Sequence, residues 1–139
     1  MQHWMTYVKH SYEVILAAEA AACVNLDPEI EAFTVHMFAR HMENPHLNKE
    51  PIAIKLMEAM NAEGEVKKTN LTRLAEECIL IDGLKLNQKR WPSSSYYIDM
   101  GQLALGYRAY SERPPEMFYD RVAREFTTIT KVIGNCRLS

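Results

Sequence analysis

The chain has 139 residues, of which 47% are hydrophobic and 24% charged, with a formal net charge of −2. A chain of this length is an ordinary single domain and can bury roughly two-thirds of its unfolded surface without metal or disulfide support. The near-balanced charge excludes the basic footprint that nucleic acid or an acidic membrane surface demands.

Taken in chain order, the apolar periodicity predicts about six helices. From Trp4 to Val24, the residues Trp4, Val8, Tyr12, Ile15 and Ala22 share one face at 100° per residue. The Ala-rich run Val14 to Val24 imitates a secretory leader, but Glu13 and Glu19 interrupt it. No run approaches the roughly 18 apolar residues of a membrane span.

Asp27-Pro28-Glu29 opens the second helix: Asp caps free N–H groups, and Pro at the first helical position leaves none orphaned. Its stripe is Ile30, Phe33, Met37 and Phe38, and it ends before Asn44-Pro45. The third helix begins between Asn48 and Pro51 and carries Ile52, Leu56, Met57 and Met60. The fourth runs from about Thr69 to Asp82, with Leu71, Leu74, Ala75, Cys78 and Ile81 on one side and Gly83 as its stop. The following loop holds Lys85, Lys89, Arg90 and Trp91, and reads as solvated with one anchoring Trp rather than as a nucleic-acid contact.

Ser93-Ser94-Ser95 caps the fifth helix, Tyr96 to Tyr110, which has two apolar stripes. One is Tyr96, Met100, Leu103, Tyr107 and Tyr110; the other is Ile98, Leu105 and Ala109. A helix apolar on two sides is either central in its bundle or shared with a second subunit. Gly101 and Gly106 cost about 1 kcal/mol each in a helix, a cost tolerated where another backbone approaches closely. After Arg113-Pro114-Pro115, a sixth helix from Glu116 to about Asn135 carries Phe118, Val122, Phe126, Ile129 and Ile133 in one stripe. The expected fold is a single all-α domain over residues 1–139, a bundle of about six helices in antiparallel or orthogonal arrangement.

Cys23, Cys78 and Cys136 are odd in number, widely spaced and without a CxxC, which points to free thiols, here within helical stretches, and to a cytoplasmic protein. The eight Met residues read as core filling, the alternative being a plastic binding surface.

No phosphate loop, HExxH or GxSxG occurs. His36, His41 and His46 stand five apart, and such a spacing turns successive side chains about 140° away from each other on a helix. Three ionisable residues do lie on apolar faces: Glu19 on the first helix, His41 on the second and Asp82 on the fourth. Each needs a partner, since an unpaired buried charge is costly. They form either a shared carboxylate–histidine site for a metal or small ligand, or three separate groups bonded to water, backbone or tyrosine hydroxyls. Asp99 and Gln102 are expected to bond to the tyrosines beside them. No catalytic residue and no cofactor is assigned.

Four segments carry a resemblance: residues 26–31 (Leu26-Asp27-Pro28-Glu29-Ile30-Glu31), residues 74–84, residues 96–107 (opening Tyr96-Tyr97-Ile98-Asp99-Met100-Gly101) and residues 118–126. Together they resemble a family of bacterial all-helical proteins with no assigned function, over most of the chain after residue 25. The turn Gly83-Leu84-Lys85-Leu86 departs from the family's Gly-Leu-Phe-Pro type turn. The resemblance implies a cytosolic helical domain and carries over no activity.

The function expected is a non-enzymatic binding or regulatory module, homodimeric through the fifth helix. The alternatives are a small metal- or cofactor-dependent enzyme using Glu19, His41 and Asp82, and a carrier of an apolar ligand lined by Met and Tyr side chains.

Overall fold

The computed structural model describes residues 2–47, 49–86 and 92–137. Among them lie seven α-helices: α1 (Gln2–Ala22), α2 (Pro28–Glu43), α3 (Ile52–Asn61), α4 (Gly64–Gly83), α5 (Ser94–Ala109), α6 (Met117–Arg124) and α7 (Phe126–Gly134). No strand occurs among the described residues, so the all-α class holds. The count differs from the expected six because the last predicted helix is interrupted at Glu125. There the N–H turns back to the carbonyls of Arg121 and Ala123, and α7 restarts at Phe126. No Pro or Gly marks this break. No described helix is long and apolar enough to cross a membrane.

The chain divides into two compact units, Met1–Leu47 with Lys131–Ser139, and Asn48–Thr130. In the first, α1 packs on α2. Val14, Ile15, Ala18 and Ala22 of α1 and Ile30, Val35, Met37 and Phe38 of α2 are buried; of the expected α1 stripe Ile15 and Ala22 are buried, Trp4 and Val8 half-buried, and Tyr12 is exposed. The turn between them closes at Cys23, whose φ is 56°, with the Val24 N–H on the Glu19 carbonyl at 2.9 Å. Cys23 thus takes the left-handed position usually given to glycine. The Asp27 side chain makes no capping bond to the N-terminus of α2, contrary to expectation. Its carbonyl accepts the Glu31 N–H at 2.8 Å, and Pro28 fits the first position as predicted.

In the second unit, α4 packs against α3 and α5, and α5 against α6. Leu71, Leu74, Ala75, Cys78 and Ile79 of α4 are buried, as are Tyr97, Gly101, Ala104, Leu105 and Ala109 of α5. Gly83 is the last residue of α4 rather than its stop; the left-handed residue is Lys85, with φ 56°. The two α5 glycines have different reasons. A Cβ on Gly101 would stand 2.3 Å from Cε2 of Phe126 and 3.1 Å from Cβ of Cys78, so the absence of a side chain makes room for an aromatic ring. A Cβ on Gly106 would meet nothing within 4 Å. Cys23 and Cys136 lie just outside helices, a correction to the expectation that all three thiols are helical. The predicted basic loop residues Lys89, Arg90 and Trp91 lie outside the described residues.

Candidate functional site

Each of the three ionisable residues singled out from the sequence takes its own partner or none. Glu19 is 5% exposed; its Oε1 accepts the Leu26 N–H at 2.8 Å and so ties the α1–α2 turn to the helix it leaves. Asp82 is buried and accepts the Ser94 hydroxyl at the N-terminus of α5, where the helix dipole favours an anion. The serines therefore start α5 differently than expected: Ser93 makes no side-chain cap and Ser94 spends its hydroxyl on Asp82. His41 is half-buried, its Nδ1 has no hydrogen-bond partner among the described residues, and burial pulls its pKa below 6.5, which favours the neutral ring. Among the described residues no group of three His, Cys, Asp or Glu side chains is arranged to hold a metal ion. Gln102 donates to the Ala123 carbonyl at 3.0 Å, joining α5 to α6 rather than serving a tyrosine.

Glu31 was missed from the sequence. It stands in the first turn of α2, and its carboxyl lies in hydrogen-bonding reach of Glu19. That contact, burial and the Glu19 charge together raise its pKa from 4.5 to about 7. Two facing carboxyls cannot both ionise freely, so the pair holds a proton that an isolated glutamate would release. The signal for it was Glu19 itself, a carboxylate on a buried face with acidic residues just across a short turn.

A charged cleft of about 340 Å³ lies between α3 and α4, with Lys55 ion-paired to Glu77 and Glu50 bonded to Glu58. The Glu58 contact, burial and charge raise the pKa of Glu50. Its two cations are already engaged, Lys55 by Glu77 and Arg73 by Glu76, which is the arrangement of a structural network.

One face of α5 carries a row of exposed apolar side chains. The inner side of the helix is buried, while Leu103 and Tyr107 on the outer side and Tyr110 just past its end are 43%, 40% and 64% exposed. With the half-buried Tyr96 and Met100 they follow spacings of four, three, four and three residues. That is the a/d rhythm with which one helix packs along another. Gly106 lies beside Tyr107 with open space above its Cα, so no side chain there holds a neighbouring helix away. Of the two stripes read from the sequence, one buries Leu105 and Ala109, while the other leaves Leu103, Tyr107 and Tyr110 exposed.

Comparison with protein-family models, with curated proteins and with solved structures returned no match for this chain.

Proposed function

We propose that the protein is a non-enzymatic helical interaction module that self-associates by packing the outer face of α5 against the same face of a second copy. The observation that carries this reading is the exposure of Leu103, Tyr107 and Tyr110 in one a/d row, since large apolar groups aligned on one face are unfavourable in water and mark contact surfaces. Leu103 is the midpoint of the row from Tyr96 to Tyr110. In an antiparallel two-fold pairing it meets its own copy, Tyr96 meets Tyr110 and Met100 falls one residue out of line with Tyr107, so the row is nearly complementary to itself.

A helix of 16 residues is about 24 Å long, and a single helix pair of that length is smaller than the ~800 Å² per partner of a standard interface. The dimer is therefore of modest affinity and concentration-dependent. Light scattering over a range from about 10 μM to about 1 mM reads this directly. The wild type shifts from monomer to dimer across the range, and Leu103→Glu or Tyr107→Glu stays monomeric. Met57→Glu, at an exposed position on α3, dimerises like the wild type. A wild type that is monomeric throughout, or a Leu103→Glu protein that still dimerises, overturns the reading.

A further inference from the structure

α1 and α2 border a second surface feature, an almost wholly apolar groove of about 310 Å³. Met5, Val8 and Tyr12 form one wall, and Ala32 and Val35 the other. Its volume is at the small end of the range for ligand sites. Glu31 also lines it, and the Glu31 carboxyl interacts in turn with that of Glu19, which is not itself among the lining residues. Among the described residues no N–H group donates to the Oε2 atom of Glu19, although the side chain is more than nine-tenths buried. Among the described residues no Lys, Arg or His nitrogen is ion-paired with either carboxylate. Lys9 and His36 contribute to the same groove. A long, exposed lysine keeps its ammonium in water while its stem covers apolar surface, so Lys9 leaves the buried demand unmet.

Two carboxylates facing each other need positive charge between or beside them. An apolar wall next to that demand selects a molecule with a hydrophobic body and one cationic nitrogen. We propose that the α1–α2 groove binds a small apolar amine, its hydrocarbon part against Val8, Tyr12 and Val35 and its ammonium on the Glu31 carboxylate. The Tyr12 ring adds a face on which a cation is attracted. The bound ammonium replaces the proton that Glu19 and Glu31 otherwise hold, so binding and protonation compete. Around this pair the titratable groups are Glu19 on α1, Lys9 and Tyr12 on the same helix, and His36 on α2. The site shares no residue with the α5 face, and its test is independent of self-association.

The test is calorimetric titration of the full chain with n-octylammonium, n-octanoate and n-octanol at pH about 8, where the shared proton is mostly released. Octylammonium binds, and octanol and octanoate bind roughly tenfold or more weakly, the difference expected of one charge-assisted contact. Glu31→Gln loses about the same factor for octylammonium and leaves octanol unchanged, whereas Lys9→Gln keeps octylammonium binding. Glu31→Gln keeps the shape of the side chain and removes a repulsion, and an unchanged far-ultraviolet circular dichroism spectrum verifies that it is folded. Absence of octylammonium binding, equal affinity in Glu31→Gln, or octanoate binding as tightly as octylammonium overturns the proposal.

Discussion

The α5 backbone at Gly101 lies directly against the ring of Phe126, so close that a single methyl group there would overlap Cε2 at 2.3 Å and Cζ at 2.5 Å. Phe126 is fully buried, so the ring has no solvent-facing space to retreat into. Gly101→Ala is therefore expected to destabilise the protein by about 1–3 kcal/mol, the usual cost of overpacking, despite alanine's better helix propensity. Gly106→Ala, in the same helix with open space above it, is expected to stabilise by up to about 1 kcal/mol. Denaturant unfolding of the two variants at low protein concentration measures both signs in one experiment.

The left-handed residues Cys23 and Lys85 end α1 and α4 where glycine is the easier residue. Cys23→Gly and Lys85→Gly are each expected to raise stability by about 1 kcal/mol, because the steric strain of a Cβ in that region is removed. Both side chains are exposed, so little packing is lost. A fall in the denaturation midpoint for either variant contradicts the expectation.

The carboxyl pair sets a pH dependence with a definite sign. Folding raises the pKa of Glu31 from 4.5 to about 7, chiefly through its hydrogen bond to Glu19, then through burial and the Glu19 charge. Between those two values the native state holds a proton that the unfolded chain has released, so stability falls as pH rises. The contribution is complete below pH 4.5 and lost above pH 7. His41 acts in the opposite direction: burial lowers its pKa, so acidification below 6.5 costs stability. Glu31→Gln should flatten the fall on the alkaline side and melt higher than the wild type at pH about 8, as read by thermal unfolding across pH.

Thiol reactivity should be graded by position. Burial pushes Cys78 up to about 12 and Cys136 up to about 11, so both are almost wholly protonated at neutral pH. Cys23 is exposed. Iodoacetamide on the native protein should modify Cys23 first and Cys78 only after unfolding, which peptide mass mapping resolves.

Most helices were legible because the apolar period does not depend on what covers the face. Ile30 to Phe38 and Leu71 to Cys78 each name a side that the fold buries in large part, whereas on α1 Ile15 and Ala22 are buried and Tyr12 is exposed. The breaks were less legible. The interruption at Glu125 is made by the backbone alone, at a residue with no turn preference, immediately before the Phe126 ring that fills the gap left by Gly101. Cys23 and Lys85 were hidden because side-chain-bearing residues stand where a glycine signal was sought. For the site, periodicity placed both stripes on α5, but which one stays open depends on where α4 and α6 pack, and that is a tertiary fact. Periodicity placed Glu19 and Asp82 on apolar faces, whereas their neighbours Glu31 and Ser94 could be named only once the turns were closed.

The most direct test of the α5 contact is disulfide formation at Leu103. A cysteine there, in a Cys23→Gly background, stands opposite its own copy in the two-fold pairing, and a disulfide needs Cα atoms about 4.4–6.8 Å apart. Mild oxidation at high concentration is expected to convert Leu103→Cys to a covalent dimer within minutes, while Met57→Cys, more exposed but on α3, links slowly. If the two variants cross-link at the same slow rate, α5 does not meet α5 in solution and the account of the protein as a self-associating helical module is wrong.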